Sequence, residues 1–187
     1  MTGRMPILLP NWLDSGLTDG LRQSTVAVMS APKHVLFVCT GNTCRSPLAE
    51  GLFRKAVAAR GDFTVSSAGV AASRGESASR DTAAVLKKRG LRLEQFASRP
   101  VTADVLDEAT HVFAMTQSHL NTLESRFPQH AGKFYLVCEF ADIPGQGVGA
   151  DVPDPIGMGR AAYEEVAKVF EEAIPSLIAF IDQTWGK

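Results

Sequence analysis

A cysteine and an arginine lie at the two ends of a short, glycine-containing segment that follows an apolar run. The run is VLFV at residues 35–38, and the segment Cys39–Pro47 reads CTGNTCRSP. Cys39 and Arg45 bracket a loop that can close into a ring, with its backbone N–H groups pointing inward at a tetrahedral oxyanion. The sequence therefore predicts a phosphate site that carries its own thiol, and phosphoryl chemistry is the leading interpretation.

The chemistry requires Cys39 to ionise so that it can attack phosphorus. A helix N-terminus, backbone donors and a nearby guanidinium all stabilise a thiolate. Arg45 offers a planar fork that can hold two phosphate oxygens at once. The residues expected to bind phosphate form one continuous run: Thr40, Gly41, Asn42, Thr43, Cys44, Arg45 and Ser46.

The other residue types of the segment also fit a tight loop that leads into a helix. Gly41 permits a positive φ or a close backbone approach, while Asn42 tolerates left-handed geometry and can tie the loop together. Ser46 can cap the helix or donate to the thiolate, and Pro47 suits the first helical turn. The alternatives, a buried structural cysteine or a zinc ligand, fit less well, because there is no C-x-x-C pair and the four histidines are scattered.

A proline-framed segment late in the chain offers a general acid for the leaving group. Residues 151–157 read DVPDPIG, and the prolines on both sides of Asp154 restrict the backbone that would hold this carboxyl. The alternative interpretation of Asp154 is a surface turn or an Asx-type cap. Asp151 is the second candidate for the acid.

These two segments resemble those of the low-molecular-weight protein-tyrosine phosphatases, whose pattern is a near-N-terminal C-x-G-N-x-C-R-S-P loop and a late acid loop containing D-P. Further similar segments are SSAG at 66–69, SRPVT at 98–102 and VFAMT at 112–116. The match extends from Lys33 to the C-terminus, which defines an expected phosphatase domain at residues 33–187.

The resemblance implies a two-step hydrolysis of phosphorylated proteins without a metal or other cofactor. Cys39 attacks phosphorus, Asp154 protonates the leaving group, and a cysteinyl-phosphate forms. Asp154 then acts as general base on water, while Arg45 and the loop amides stabilise the equatorial oxygens. Asn42 and Ser67 match positions that support the phosphate loop, and Ser46 would assist departure of the thiolate.

Substrate choice centres on Thr43. The family's arginine-phosphatase branch carries threonine at this position, and its loop is similar to the run CTGNTCRSP followed by Ala49 and Glu50. Both branches place an aromatic residue where this chain has Ile156, and the arginine branch has another where this chain has Ala71. The resemblance therefore implies phosphotyrosine or phosphoarginine as substrate, with phosphoarginine mildly favoured and a more aliphatic substrate wall.

Other functions stay open at this point. Arsenate reductases share the scaffold but need two further cysteines in one mobile segment, whereas this chain has none between Ser66 and Val137, and Cys138 is expected to be a buried hydrophobe. A non-catalytic phosphate-binding module is the other alternative, but it would not need Asp154. Cys44 either traps Cys39 in a regulatory disulfide or packs against the first strand.

Composition agrees with one compact cytoplasmic domain. The 187 residues are 45% hydrophobic and 21% charged, enough to bury a substantial core. The net charge of −1 gives no reason to expect nucleic acid or membrane as partner, and three cysteines argue against a disulfide framework. No apolar run approaches the roughly 20 residues that cross a bilayer. Pro6 and Pro10 interrupt the N-terminal apolar patch, which leaves no convincing signal peptide.

Apolar runs alternate with helical patterns, which favours a single-domain α/β fold with a four-stranded parallel sheet and helices on both faces. The predicted strands are His34–Val38, Phe63–Ser66, His111–Met115 and Phe134–Val137. The predicted helices are Ser46–Arg60, Ser79–Arg89, Thr102–Ala109, Gln117–Phe127 and Arg160–Trp185, with a kink at Pro175. The phosphate-binding loop then follows the first strand, at its carboxyl end, where such sheets bind ligands. No partner is identified for His119 or His130.

Residues 1–32 lie outside the resemblance. Gly, Ser, Thr and Pro punctuate this segment, so we expect a loosely structured N-terminal extension. Met29 lies so close to the start of the domain that it is a candidate for the natural first residue.

Overall fold

Four parallel strands form the central sheet of the computed structural model, which describes residues 32–185. They are β1 (Lys33–Cys39), β2 (Phe63–Gly69), β3 (His111–Ala114) and β4 (Phe134–Leu136), arranged in the order β2-β1-β3-β4. The predicted four-stranded parallel sheet is confirmed, and the strand ends differ from the predicted ends by a few residues at most.

Five α-helices of the described residues connect or follow these strands. They are α1 (Arg45–Ala56), α2 (Arg80–Lys88), α3 (Ala103–Glu108), α4 (Gln117–Arg126) and α5 (Gly159–Thr184). Ser79, Thr102 and Thr116 begin three of them, since each side-chain oxygen accepts a backbone N–H of the first turn. Pro175 lies inside α5 without interrupting it, and the expected kink stays a prediction.

Helix α1 is shorter than the predicted Ser46–Arg60. After Ala56 the backbone tightens, and the N–H of Arg60 donates to the carbonyl of Val57 at 2.8 Å. Such i−3 bonding ends an α-helix in a narrower turn.

The side chains of β1 alternate between two hydrophobic cores. Val35, Phe37 and Cys39 join the core formed with α1, α2 and α5. Leu36 and Val38 join the second core, formed with α3 and α4. Because successive strand residues point to opposite faces, helices cover both sides of the sheet, as predicted.

A small antiparallel hairpin precedes the segment that contains Asp154, and the sequence did not predict it. Its strands are β5 (Asp142–Ile143) and β6 (Gly147–Val148), and a short 3₁₀-helix at Pro128–Lys133 was also missed. Two-residue strands are too short to show a period of two, so the glycine-rich pattern alone indicated a loop.

The expected extension at residues 1–32 lies outside the described residues except for Pro32, and so does the hypothesis about Met29. Within residues 32–185 no helix combines the length and the apolar character needed to cross a bilayer. The same residues hold no cluster of three or more His, Cys, Asp and Glu side chains placed to bind a metal ion.

Candidate active site

The loop between β1 and α1 is held by its carbonyl oxygens. The carbonyls of Cys39 and Thr40 accept backbone N–H bonds from the segment after β2, each at 2.9 Å, and that of Thr43 accepts one from Ser79 at 2.7 Å. A planar trans peptide points its C=O and the following N–H in opposite directions. The outward carbonyls therefore turn the N–H groups that follow them toward the inside of the loop.

Those N–H groups have no partner in the described part of the chain. Within residues 32–185, no backbone N–H from Thr40 to Ser46 donates a hydrogen bond. Four residues of this run are nonetheless buried, namely Asn42, Cys44, Arg45 and Ser46. Buried N–H groups are almost always paired, so a run of free donors beside a guanidinium is suited to hold an oxyanion.

Asn42 supports the loop from inside. Its φ is 55°, and its Nδ2 donates to Ser46 Oγ at 3.0 Å and to Ser67 Oγ at 2.8 Å. Its Oδ1 accepts the backbone N–H of Arg99 at 2.9 Å. The expected left-handed geometry is thus present at Asn42, where these bonds offset its cost, while Gly41 does not have the positive φ considered for it.

The Cys39 sulfur lies 3.0 Å from Ser46 Oγ, and Cys39 is 3% exposed. Ser46 Oγ also lies 3.3 Å from the carbonyl of Ala68, and its single proton can serve one acceptor at a time. A thiolate at Cys39 would draw that proton. The alternative role of Ser46 as helix cap is wrong, because the N-cap residue of α1 is Cys44 and no side chain accepts a hydrogen bond there.

Arg45 joins the loop to the predicted acid. Its Nη2 lies 2.7 Å from Asp154 Oδ2, and its Nη1 donates to the carbonyl of Val152 at 3.3 Å. The Arg45 side chain is 6% exposed and that of Asp154 is 50% exposed. Asp154 also accepts the N–H of Ile156 at 3.2 Å, so the Asx-type turn considered from the sequence is present too. The carboxyl thus lies at the rim of the loop, with access to solvent.

Asp151, the second candidate acid, has a different partner. Its Oδ1 accepts the backbone N–H of Gln117 at 2.7 Å, at the start of α4. The neighbouring Val152 donates its N–H to the carbonyl of Met115 at 2.8 Å. These bonds anchor the acid loop, residues 151–157, to the turn between β3 and α4.

Ser67 and Glu50 extend the support of Asn42 into the protein. Ser67 donates to Glu50 Oε2 at 2.6 Å, and Arg54 pairs with Glu50 Oε1 at 2.7 Å. Burial raises the pKa of the Glu50 carboxyl, although the hydrogen bond from Ser67 opposes the shift. In the sequence, Glu50 is notable only as part of the loop motif, and its i,i+4 spacing to Arg54 was the available signal for its role.

The three residues expected to set selectivity lie on loops at the carboxyl edge of the sheet. Thr43 follows β1 and is partly exposed, Ala71 follows β2 and is exposed, and Ile156 in the acid loop is 67% exposed. An exposed aliphatic side chain two residues after Asp154 is available to contact a substrate.

Cys44 is a free thiol that packs in the core with α1, α2 and α5. Tyr163 of α5 donates its hydroxyl to Cys44 Sγ at 3.1 Å, and burial together with this bond raises the pKa of Tyr163 to about 12. Cys138 is 1% exposed, as expected for a buried hydrophobe, and burial raises the pKa of its thiol to about 11. The Cys39–Cys44 disulfide stays a prediction.

His119 and His130, for which no partner was predicted, both have hydrogen-bond partners in the structure. His119 Nε2 lies 2.8 Å from Thr40 Oγ1, and its Nδ1 lies 2.7 Å from Thr116 Oγ1. His130 Nε2 lies 2.8 Å from Asp107 Oδ1. Burial lowers the pKa of His119, and the charge of Arg45 lowers it further. The contact to Thr40 joins residues far apart in sequence, so local pattern gave no sign of it.

Known proteins share this fold. A protein-arginine-phosphatase of Geobacillus stearothermophilus is 35% identical over 150 residues, which are 78% of this chain and 97% of that protein. The crystal structure of a low molecular weight protein tyrosine phosphatase from T. tengcongensis is 39% identical with a TM-score of 0.72, covering 79% of this chain and 99% of that one.

A third relative is the YwlE arginine phosphatase, solved as a cysteine-to-serine mutant with a phosphorylated active site serine. It is 32% identical with a TM-score of 0.73, covering 81% of this chain and 97% of that one. The expected similarity to the arginine-phosphatase branch is therefore confirmed. A family model for low molecular weight phosphotyrosine protein phosphatase matches residues 34–185. The chain belongs to this family and is a hydrolase of the low-molecular-weight protein phosphatase type.

Proposed function

We propose that the enzyme dephosphorylates proteins through a cysteinyl-phosphate on Cys39 and that it favours phosphoarginine mildly over phosphotyrosine. The observation that carries the proposal is the run of N–H groups from Thr40 to Ser46, which are unpaired among the residues that the structure describes. Cys39 precedes this run, and Arg45 within it contacts Asp154 at 2.7 Å. A nucleophile, an anion site and an acid thus occupy one edge of the sheet.

In the first step, the Cys39 thiolate forms an S–P bond as the bond from phosphorus to the leaving nitrogen or oxygen breaks. The phosphoryl group replaces Asp154 as the main partner of Arg45, and loop N–H groups stabilise its equatorial oxygens. Asp154, protonated beside the bound anion, gives its proton to the leaving atom. The product is a free guanidine or phenol, together with the cysteinyl-phosphate.

In the second step, a water oxygen attacks phosphorus and gives a proton to the Asp154 carboxylate. The S–P bond breaks and returns the thiolate. The Ser46 hydroxyl, whose oxygen lies 3.0 Å from the Cys39 sulfur, donates a hydrogen bond to the sulfur as it leaves phosphorus. Inorganic phosphate then leaves. We propose no metal or cofactor for either step, and a phosphorylated active site serine in the YwlE mutant supports a covalent intermediate.

Thr43 supports the preference for phosphoarginine. Its side chain is small, polar and partly exposed in the phosphate-binding loop, so it can accept a hydrogen bond from a guanidinium while leaving room for the planar group. Relatives named protein-arginine-phosphatase agree with this assignment. Ile156 and Ala71 offer no aromatic face, so neither a phenol ring nor a guanidinium gains stacking there.

The decisive experiment compares kcat/KM on peptides that differ only in carrying phosphoarginine or phosphotyrosine. We expect wild type to favour phosphoarginine by a small factor and Thr43→Ile to shift the ratio toward phosphotyrosine, because an aliphatic side chain removes the acceptor and suits a ring. Cys39→Ser is the inactive control, which should hydrolyse neither peptide while still binding inorganic phosphate. Unchanged turnover in Cys39→Ser would refute the mechanism, whereas a wild-type preference for phosphotyrosine would refute only the substrate assignment.

Arsenate reduction has less support from the geometry. The cysteines of the described residues are Cys39, Cys44 and Cys138, and the last is buried with a raised pKa, so no exposed pair of thiols is available to relay a disulfide. Phosphorylated proteins are the proposed partners, and the expected cytoplasmic location stays a prediction.

A further inference from the structure

We propose that His119 is a positioning residue that fixes the phosphate-binding loop through Thr40 and joins it to the acid loop. The inference rests on the proposed function, since it concerns the same site. Neither the residue types of the loop nor those of the acid segment point to this histidine.

The imidazole of His119 bridges two threonine hydroxyls. Nε2 lies 2.8 Å from Thr40 Oγ1 in the phosphate-binding loop, and Nδ1 lies 2.7 Å from Thr116 Oγ1 at the start of α4. His119 is 6% exposed, and Thr116 Oγ1 also accepts the backbone N–H of His119 at 3.3 Å. Both ring nitrogens are thus in use, and the ring has little freedom to move.

Thr40 is the residue at which this support matters. It is exposed, and within residues 32–185 its hydroxyl bonds to His119 alone. Its carbonyl is held by the N–H of Ala71 at 2.9 Å, and its own N–H is the first of the unpaired run. Without the bond to His119, only the carbonyl bonds of Cys39 and Thr40 hold the two peptides that flank Thr40, so their N–H groups point less steadily at the phosphoryl oxygens.

The same turn also holds the acid loop. Met115, which directly precedes Thr116, accepts the N–H of Val152 at 2.8 Å, and Gln117, which directly follows it, donates to Asp151 at 2.7 Å. The phosphate-binding loop and the acid loop therefore share the segment 115–119 as a common support. Catalytic groups need placement to within about 0.5 Å. A shared support therefore keeps the N–H groups of the phosphate-binding loop and the Asp154 carboxyl in a fixed position relative to each other.

The charges around His119 give a spectroscopic readout. Arg45 lowers the pKa of His119, whereas Asp151 and Asp154 raise it, and burial lowers it most. Inorganic phosphate bound at the loop would offset the charge of Arg45. The NMR titration midpoint of the His119 ring should therefore rise on adding phosphate.

A double-mutant cycle separates positioning from general stability. The cycle measures kcat and KM on p-nitrophenyl phosphate for wild type, His119→Leu, Thr40→Val and the double variant. We expect each single change to lower kcat on the order of tenfold with a smaller change in KM, since misplaced groups cost transition-state stabilisation. Because both changes break one contact, the double variant should be no slower than the slower single variant.

Two conservative variants sharpen the result. Thr40→Ser keeps the hydroxyl and should retain most of the wild-type kcat, and His119→Gln should recover part of what His119→Leu loses. His130→Leu is the matched control, because it removes a partly buried imidazole away from the site and should leave kcat unchanged. Thermal unfolding of all variants detects loss of fold.

The inference is overturned if the losses of the two single variants multiply, or if His119→Leu is as active as wild type. It is also overturned if phosphate leaves the His119 titration unchanged. An inactive wild type would count against the proposed function instead, and the phosphate titration would still decide the role of His119. If His119→Leu does not fold, Thr40→Val and the titration give the answer.

Discussion

Asp154 has two partners in the structure, and the proposed mechanism uses both. Its Oδ2 contacts the Arg45 guanidinium at 2.7 Å, and its Oδ1 accepts the N–H of Ile156 at 3.2 Å. The first contact brings the carboxyl to the phosphate site, and the second fixes the turn that presents it. With half of its side chain exposed, Asp154 is accessible both to the leaving group in the first step and to the attacking water in the second.

Replacing the acid separates proton transfer from binding. We expect Asp154→Asn to lower kcat by about 10²- to 10³-fold, because an amide cannot protonate the leaving group. The loss should be larger for phenyl phosphate than for p-nitrophenyl phosphate, since the poorer leaving group needs the proton more. Steady-state kinetics on both esters measures the loss of kcat in Asp154→Asn relative to wild type.

Asp151→Asn provides the contrast. Asp151 caps α4 through Gln117, so its replacement should reduce stability by about 1 kcal/mol and slow both esters by the same factor. An equal dependence on the leaving group in both variants would show that Asp154 is not the acid.

At the scale of elements, the site depends on a close approach between the end of β2 and the phosphate-binding loop. Gly69 pairs with Cys39 in the register of β1 and β2. A Cβ added to Gly69 would lie 2.9 Å from the backbone nitrogen of Asn42 and closer still to the carbonyl oxygen of Thr40. Only glycine therefore allows the loop to lie against the strand at this point.

Gly69→Ala tests this packing. The added methyl meets backbone atoms that cannot move without shifting the loop, so we expect a loss of stability of about 1–3 kcal/mol. Affinity for inorganic phosphate, measured as its inhibition constant, should fall more than tenfold, because the displaced donors no longer converge.

Gly61→Ala is the matched control, since an added Cβ there meets no atom within 4 Å. It should leave both stability and the inhibition constant near wild type. Wild-type phosphate affinity in Gly69→Ala would contradict the proposed dependence of the loop on β2.

At the scale of the whole molecule, an ion-pair network joins the sheet to the C-terminal helix at the end remote from the site. Lys33, which begins β1, contacts Asp62 at 2.7 Å and Asp182 of α5 at 2.6 Å. Arg60 contacts Asp182 as well, at 2.6 Å. The side chain of Lys33 is 7% exposed, so its charge depends on these two partners.

The network predicts a pH dependence of stability. The hydrogen bond from Arg60, followed by that from Lys33, lowers the pKa of Asp182 to about 2. Because its pKa is lower in the folded state, the ionised carboxylate contributes its full stabilisation at pH values above its unfolded-state pKa of about 4. This contribution is lost as the pH falls through the folded-state pKa. We expect Asp182→Asn to reduce the free energy of unfolding at pH 7 by on the order of 1 kcal/mol, with the difference vanishing toward pH 2.

Urea unfolding at several pH values measures this difference. Glu165→Gln removes an exposed pair with Lys168 and should have little effect at any pH. Hydrolysis of p-nitrophenyl phosphate by Asp182→Asn should stay near wild type, because the network lies at the opposite end of β1 from Cys39. A difference that persists undiminished at pH 2 would mean that Asp182 acts other than through its charge.

Much of the fold followed from short-range patterns. Apolar runs marked the four strands of the central sheet, and two predicted helices begin at Ser79 and Thr102, which the structure shows to be N-caps, because capping and strand patterns depend on neighbours in the chain. Local pattern was insufficient for the β5–β6 hairpin, whose strands are too short to show a period, and for the end of α1, where the turn tightens after Ala56.

The sequence by itself determined the candidate catalytic residues: Cys39, Arg45 and Asp154 were named from residue type and spacing, and the structure brings them to one edge of the sheet. Only the tertiary structure placed His119 on Thr40, Glu50 behind Ser67 and Gly69 against the phosphate-binding loop. Each of these contacts depends on the strand order β2-β1-β3-β4 and on parallel register. Residue type and local spacing do not specify which strands become neighbours, so long-range pairings appear only when the sheet is assembled.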